Sequence, residues 1–493
     1  MASRKDELNA YTYAKRRTVA AFLQPSSTGS EEGAPRPLRA VAPGAIVGAL
    51  ILIGFGAWGL FRPAVPEGWD EPGRHVIIGS DSTTRYLVLE TEGHTQLHPV
   101  LNLSSARLLL RSPDSLSIVN VDEAQLDSGA IPRGPTVGIP YAPDRLPDAG
   151  DAADAKRWAV CQQPGGDGGA VQQAVFLLAD RDADRVENDD RLTGGELLHV
   201  QGPDGVSYVV DAGGTRYRLG DEDTGDEDLR LLRRLVTSGT DPQPVTDAWL
   251  ATLADGSPVV FPDLDGVVGE QAGIPGLDPE ADRVGMVLTA LTGAGDQQYL
   301  VLPGRVVPVS DFTARLLTNR PGSETLDMAG APLPVGAEDI DPAPPEDSID
   351  NDRTWPAAAP AQVNDDARDT LCSVLLSVDA DDGATEVATW AGDDYPATIA
   401  SGAASAYVTP GSGLLYRQVQ GEQAESGGVF LATDTGLRYG VQTTPGAEGQ
   451  DHNAQTLLGY GDVTPVPVPA AWSTLLPTGP LLDSDAAAQP QGS

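Results

Sequence analysis

The chain has 493 residues and a formal net charge of −39 at pH 7. A single compact core rarely serves so long a chain, so we expect several packed units. Nucleic acid is excluded as an expected partner, because phosphate binding requires clustered Lys and Arg rather than excess carboxylate. Hydrophobic residues make up 40% of the chain, which is enough for folded domains with an acidic, solvated surface.

The chain begins with a basic segment followed by an apolar one. Residues 1–40 carry seven Lys or Arg and four acidic residues, a net charge of +3, and residues 41–61 contain no charge. As a helix, residues 41–61 extend about 30 Å, the thickness of the hydrocarbon core of a bilayer. About forty residues precede them, which favours a retained transmembrane helix over a cleaved signal peptide. The positive-inside bias predicts a single-pass protein of the cytoplasmic (inner) membrane, with its N-terminus in the cytoplasm and the bulk of the chain extracytoplasmic.

The cytoplasmic segment is itself predicted to contain a helix. Its side chains near one face are Tyr11, Ala14, Thr18 and Phe22, with Lys15, Arg16 and Arg17 beside them. Such a helix suits the anionic inner leaflet of the lipid bilayer or a cytosolic partner, and both remain open.

Four later segments share one pattern, in which two apolar, strand-like stretches around a turn precede a leucine-rich helical run. They are residues 70–125, 192–240, 283–322 and 427–482. We predict an α+β, β-rich fold in which four repeat lobes surround a central domain, giving an elongated, multi-lobed extracytoplasmic part. The unequal spacing of the repeats differs from the fixed period of a solenoid.

The remaining segments are assigned by exclusion. The central domain is predicted from residues 126–191 and 370–426, with a connecting segment at 241–282. Residues 323–369 are rich in Pro and Asp and predict a loop that is not expected to be ordered, and residues 483–493 predict a mobile tail.

The chain has two cysteines, Cys161 and Cys372, both in apolar surroundings. An oxidising exterior favours a disulfide between them, which would close a loop of about 210 residues and contribute roughly 5 kcal/mol in the chain-entropy model. The alternative is two free, buried thiols.

Motifs for catalysis or cofactor binding are absent from the sequence. It contains no GxxxxGK[ST], GxSxG, HExxH or SxxK, so we expect no catalytic residue, cofactor or metal. His94 and His98 have HxxxH spacing, but a turn and a following Pro favour solvated histidines over metal ligands. Asp180, Asp182 and Asp184 resemble the start of a calcium loop that lacks the required Gly and Glu, so a solvated acidic loop or weak calcium binding is expected.

The order of several motifs resembles the EccB family, the single-span core components of type VII (ESX) secretion machines. The resemblance covers nearly the whole chain, and the motifs that carry it are AYTYAKRRTVAAFL before the apolar segment, LHPVLNLSSARLLL (97–110), VGIPYAPDRLP (137–147), WAVC (158–161), TLC (370–372) and VPVPAAWSTLLPTGPLL (466–482).

This resemblance implies a structural membrane subunit that builds the extracytoplasmic part of the complex and supports protein export. It implies four lobes and a central domain, with Cys161 and Cys372 in a disulfide. The implied partners are EccC, EccD, EccE, the mycosin protease and further copies of the chain. The motor ATPase domains of such machines belong to EccC. ATPase activity has been suggested for EccB relatives, but this sequence has no motif for it.

Two other functional classes remain. One is a membrane-anchored protein that binds peptidoglycan or another cell-envelope polysaccharide, which would need exposed aromatic side chains. However, aromatic residues make up only 5% of the chain, and Tyr86, Tyr208, Tyr299 and Tyr439 occupy strand-like positions that favour the core. The other is an anchored enzyme of an unfamiliar type, which would show a cleft with strongly perturbed carboxylates.

Overall fold

The structure is a computed structural model that describes residues 3–23, 38–61, 66–111, 117–165, 169–293, 295–399, 405–420, 427–443 and 453–491. Two helices come first, α1 (Arg4–Leu23) and α2 (Leu38–Phe61). The segment predicted to span the membrane lies within α2. Among the described residues, no helix meets the combined length and apolarity needed to cross a bilayer.

The rest of the described chain is built from short strands and shorter helices. The strands are β1 (His75–Gly79), β2 (Arg85–Thr91), β3 (His94–Pro99), β4 (Ser117–Val121), β5 (Arg157–Gly165), β6 (Gly169–Leu178), β7 (Glu196–Gln201), β8 (Ser207–Asp211), β9 (Thr215–Arg218), β10 (Gln243–Pro244), β11 (Ala254–Asp255), β12 (Val287–Thr292), β13 (Gly295–Leu302), β14 (Arg305–Val309), β15 (Leu333–Pro334), β16 (Ala361–Gln362), β17 (Thr370–Val378), β18 (Thr385–Gly392), β19 (Ala406–Val408), β20 (Gly413–Val419), β21 (Val429–Thr433), β22 (Arg438–Val441) and β23 (Val466–Pro469). The α-helices are α3 (Leu103–Leu108), α4 (Glu123–Leu126), α5 (Ala149–Ala153), α6 (Asp226–Val236), α7 (Asp247–Leu250), α8 (Asp311–Thr318), α9 (Ala470–Ser473) and α10 (Ser484–Ala488). Short 3-10 or π segments lie at Asp180–Arg185, Ser323–Leu326, Ala337–Asp339, Pro345–Asp347 and Thr456–Tyr460. The α+β, β-rich class predicted from the sequence is confirmed.

Four of the sheets contain the same arrangement of strands. In each, three consecutive strands form an antiparallel meander, and a later strand pairs in parallel with the first of the three. We call them the first sheet (β3-β2-β1-β4), the second (β10-β7-β8-β9-β11, with β16 also on β7), the third (β14-β13-β12-β15) and the fourth (β22-β21-β20-β23). In all four, helical residues lie between the meander and the parallel strand, so each sheet gains a covered face.

The central sheet combines segments that are far apart in sequence. Its order is β18-β17-β5-β6-β19, antiparallel except for the parallel pair β6 and β19. The second and third sheets are formed by residues between β6 and β17. They are therefore an insertion into the central sheet.

The sheets share cores in a definite sequence of neighbours. One cluster joins Leu108 of α3, beside the first sheet, to Tyr439 of the fourth. The largest cluster joins the fourth, central and second sheets. A further cluster combines Tyr217 of the second sheet with Phe312 of α8, beside the third. Contact therefore passes from the first sheet to the fourth, the central, the second and the third.

The predicted mobile tail, residues 483–493, is wrong for its first part. Asp483 caps α10 by accepting from the Ala486 N–H (3.1 Å), and Ala487 is fully buried. Alanine-rich, polar composition suggested mobility, but a small side chain is what a close helix contact needs.

The Pro- and Asp-rich segment 323–369 is attached to the fold, contrary to the expected lack of order. Its backbone is mostly irregular, yet β16 pairs with β7. The Asn364 amide accepts from the N–H of His199 (2.8 Å) and donates to its C=O (3.0 Å). These polar attachments hold the segment against the second sheet, and its buried Leu326, Met328 and Ile340 join the core of the third.

Candidate functional site

The candidate site is the junction at which the central sheet meets its neighbours, which we call the hub. Cys161 on β5 and Cys372 on β17 lie directly opposite each other and are joined by a disulfide, with both residues fully buried. The bond spans 211 residues of sequence. It therefore ties the two halves of the central sheet together at the point where the second and third sheets are inserted.

Aromatic side chains fill the other face of this junction. Trp158 of β5 meets Tyr416 of β20 edge to face, with ring centroids 5.5 Å apart, and Tyr416 stacks on Phe430 at 5.6 Å. Trp249 of α7 is fully buried in the same cluster and donates its indole N–H to the Val160 carbonyl (3.1 Å). Buried aromatic pairs add to the burial of their area, so three sheets are fixed to one another here.

Thr246 places Trp249 in the hub. Its hydroxyl caps α7 by accepting from the Trp249 N–H (3.2 Å) and donates to Gln173 Oε1 (2.9 Å). The fully buried Gln162 donates its side-chain amide to the same hydroxyl and to Gln173 Oε1, and accepts from the Thr246 N–H (3.1 Å). Gln162 and Gln173 are cross-strand partners on β5 and β6, so a satisfied polar network joins α7 to the central sheet.

A second network lies on the side of the fourth sheet. Ser473 Oγ is within hydrogen-bonding distance of the Tyr416 hydroxyl (2.9 Å), receives Arg438 Nη1 (2.8 Å) and donates to Gln418 Oε1 (2.9 Å). The Arg438 guanidinium also lies over the Phe430 ring, 5.0 Å from its centroid. Burial raises the pKa of Tyr416, so its hydroxyl stays neutral and able to donate.

The comparison that decides the family covers almost the whole chain. Residues 1–492 match the family described as "Type VII secretion system ESX-1, transport TM domain B". The chain belongs to the EccB family. It is therefore a component of a type VII secretion system, as the sequence motifs implied.

Curated relatives of this EccB-family chain come from mycobacteria. The "ESX-3 secretion system ATPase EccB3" of Mycobacterium tuberculosis is 28% identical over 474 residues, covering 89% of this chain and 81% of the relative. The protein of the same name from Mycolicibacterium smegmatis is 28% identical over 471 residues, covering 90% and 83%. The "ESX-2 secretion system ATPase EccB2" of M. tuberculosis is 29% identical over 449 residues, covering 84% and 81%.

Solved structures share the fold of this EccB-family chain. A chain of an intact ESX-5 inner membrane complex matches with a TM-score of 0.58 and 22% identity, covering 100% of this chain and 96% of that one. An EccB3 dimer from the ESX-3 core complex matches with a TM-score of 0.57 and 23% identity, covering 84% and 99%. These likenesses establish the architecture.

A second junction in this EccB-family chain joins its first and fourth sheets. Arg107 of α3 donates to the Leu458 carbonyl (2.6 Å), and the Tyr460 hydroxyl donates to the Pro147 carbonyl (2.8 Å). Burial lowers the pKa of Arg107 and raises that of Tyr460. Gln491, beyond α10, donates to the Gly138 carbonyl (2.9 Å). The segment expected to be a mobile tail therefore closes this junction.

The histidines singled out in the sequence have different environments. His94 is exposed, but His98 is buried, with ring nitrogens 2.9 Å from the Pro135 carbonyl and 3.3 Å from Thr91 Oγ1. The expectation of a solvated turn residue is thus wrong for His98. It lies on a strand covered by a following loop, which its spacing from His94 did not reveal.

The acidic triplet forms part of a 3-10 turn rather than an open loop. Asp182 accepts from Thr409 Oγ1 (2.8 Å) and from Arg185 Nε (3.0 Å), and these hydrogen bonds lower its pKa despite partial burial. In the part of the chain that the structure describes, no three His, Cys, Asp or Glu side chains are grouped as metal ligands.

Sequence reasoning missed most of the hub. The signal that could have located α7 is Thr246, a residue type typical of a helix N-cap, directly before Asp247–Leu250. Nothing in the sequence pairs Gln162 with Thr246, because their contact depends on how the insertion folds back on the central sheet.

Proposed function

We propose that this chain is the subunit that builds the extracytoplasmic part of its type VII secretion complex, as a rigid connector rather than as a catalyst. The observation that carries the proposal is the match of residues 1–492 to a type VII secretion family. The hydrophobic cores that each sheet shares with its neighbour support the proposal, because units that share a core move together.

The proposed anchor is residues 41–61, with residues 1–40 in the cytoplasm. The described side chains of α2 are apolar and largely exposed around the helix, among them Leu50, Ile53 and Phe55. A helix that is apolar on all sides is stable where its surroundings are also apolar. The seven Lys and Arg residues before it favour the predicted orientation.

The four sheets with a common strand order support four repeat lobes around a central domain. Each lobe is the meander, its helical crossover and its parallel strand. The fourth lobe then begins at β20, earlier than the predicted 427, and the second and third extend to β11 and β15.

The proposed partners are the EccC, EccD and EccE types of membrane component, the mycosin protease and further copies of the chain. The EccB3 chain that shares this fold was solved as a dimer, and another as part of an inner membrane complex. The curated relatives are named ATPases, whereas this sequence has no P-loop motif. For this reason we propose a connector role for this chain rather than ATPase activity.

The cell-envelope binding alternative is less well supported. It needs aromatic platforms on each lobe, but Tyr86, Tyr299 and Tyr439 are buried in strands. Tyr208 is half-buried beneath Arg216, whose guanidinium carbon is 5.9 Å from the ring centroid.

The test is purification in mild detergent through a tag placed before Met1, because α10 and Gln491 are packed and a tag after them would disturb the second junction. We expect a large complex containing a protein with several ATPase domains and a polytopic protein. A lone monomer that sediments with purified cell wall would contradict the connector role and favour envelope binding.

The anchor is tested separately by alkaline extraction of membranes. Arg at both Leu50 and Ile53 should release the chain, since each charge costs about 3 kcal/mol at the centre of a bilayer. Val41→Arg, near the end of the segment, is the matched control and should remain in the membrane. Extraction of the unaltered chain would contradict the span.

A further inference from the structure

The parallel strand at the edge of the first sheet differs from its counterparts. In the second, third and fourth sheets a strand in this position contains proline, at Pro244, Pro334, and Pro467 with Pro469, although the two-residue β16, which also pairs with β7, contains none. Proline has no N–H and cannot donate to an added strand, so it protects a sheet edge. The corresponding strand of the first sheet, β4, reads Ser-Ile-Val-Asn-Val and contains none.

The opposite edges of the sheets are covered by other segments. Arg133 bridges to Leu97 of β3 and Val137 to Val100, just beyond it, while Thr478 and Leu482 bridge to β22. By contrast, no strand of the described chain lies beyond β4. Within the part of the chain that the structure describes, its five uncharged, mostly β-branched residues therefore form an open edge with the composition of a pairing strand.

The hydrogen bonds of β4 show which of its groups face outward. The Val121 carbonyl accepts from the Ser80 N–H (3.0 Å) on the side of β1. Main-chain groups of successive strand residues point to opposite sides, so the N–H and C=O of Ile118 and Asn120 lie at the outer edge. Ile118 is half-exposed, at 50%, although it is a large apolar residue.

We propose that β4 of one copy pairs antiparallel with β4 of a second copy, across a two-fold axis at Val119. The inference rests on the self-association in the proposed function and specifies its surface. The outward amides of Ile118 and Asn120 then donate to the Asn120 and Ile118 carbonyls of the other copy, and the sheet continues from one copy into the next.

The uncharged character of β4 favours a second copy as the occupant. Two chains of charge −39 repel each other, and a contact through an acidic surface would bury carboxylates without partners. Pairing through β4 avoids that cost. A strand paired antiparallel with itself is also self-complementary, as a two-fold interface requires.

The test is oxidative cross-linking of the full chain in mild detergent. The two native cysteines are bonded to each other, so Val119→Cys introduces one free thiol that faces its own copy across the axis. We expect Val119→Cys to form a disulfide-linked dimer in several-fold higher yield than Leu291→Cys, whose residue is 73% exposed on the third sheet. Ile118→Cys is the register control and should cross-link less, because Ile118 faces Asn120.

A second variant tests the edge itself. Ile118→Pro removes an outward N–H and keeps the bonds to β1, as the prolines of the other sheets do. Combined with Val119→Cys, Ile118→Pro should abolish the cross-link. Limited proteolysis checks that the first sheet of this double variant stays folded.

The outcomes separate this inference from the proposed function. A complex with several copies in which Val119→Cys cross-links no better than Leu291→Cys overturns the β4 interface and leaves the connector role standing. A single copy in the purified complex overturns self-association itself. A cross-link from Val119→Cys to a different protein would show that β4 pairs with that protein and not with a second copy of the chain.

Discussion

Replacing Thr246 by Val tests the polar network of the hub. The two side chains have nearly the same shape, so the change removes the hydroxyl and little else. The Thr246 hydroxyl accepts from the Trp249 N–H and from the Gln162 amide, and it donates to Gln173. All three hydrogen bonds are lost in the Val variant.

The expected cost follows from these contacts. Each hydrogen bond contributes about 1 kcal/mol net, and a group left buried without a partner costs more. Gln162 and Gln173 keep their mutual bond of 2.7 Å, which limits the loss. We expect Thr246→Val to lower the local free energy of unfolding around α7 by about 2–3 kcal/mol.

Hydrogen exchange followed by mass spectrometry measures this directly, since a chain with several units does not unfold in one step. Peptides covering Asp247–Leu250 should exchange roughly 30- to 150-fold faster in the Val variant, because 1.4 kcal/mol corresponds to a factor of about ten. Thr246→Ser keeps the hydroxyl and should remain near the wild type. Unchanged exchange in Thr246→Val would refute the reasoning, and equal losses in the Ser and Val variants would assign the effect to the methyl group.

Three further changes have defined outcomes. Replacing Cys161 and Cys372 together by Ala should destabilise the central sheet to urea by up to about 5 kcal/mol, the loop-entropy value for so long a closure, and an unchanged urea midpoint would contradict this. Burial, aided by Arg233, lowers the pKa of His199 to about 4 from 6.5, so between these values the unfolded chain binds a proton that the folded one does not. Stability of the second sheet should therefore be complete above pH 6.5 and fall by about 3 kcal/mol toward pH 4, and His199→Leu should flatten that dependence in unfolding experiments at several pH values. Ala487→Glu places a charge in a fully buried position and should expose residues 484–491 to limited proteolysis, whereas Glu at the exposed neighbour Ala488 should not.

The sequence predicted features that depend on local periodicity. The α+β class and the meanders follow from short apolar runs separated by turns, which are visible in β1, β2, β12 and β13. The parallel strands β10 and β15 are two residues long and contain proline, so they carry no periodic signal. The predicted repeats therefore stopped short of them.

In the fourth sheet, the position of a tyrosine does not identify the second strand of the meander. Tyr86, Tyr208 and Tyr299 lie on the second strand of their meanders, whereas Tyr439 does not. It lies on the third strand, β22, while the second strand carries Phe430. Tyr and Phe can both occupy this position, because packing depends on the volume of the ring and not on its hydroxyl.

The second junction imposes an order on biogenesis. Residues of the first sheet leave the ribosome early, yet the Gly138 carbonyl is bound by Gln491, 353 residues later. Contacts so distant in sequence form late, so the outer face of α3 stays open until the following sheets have folded. A chain interrupted before α10 would leave that apolar surface exposed to solvent and to proteases. The second junction therefore closes only after residues 484–491 have been synthesised.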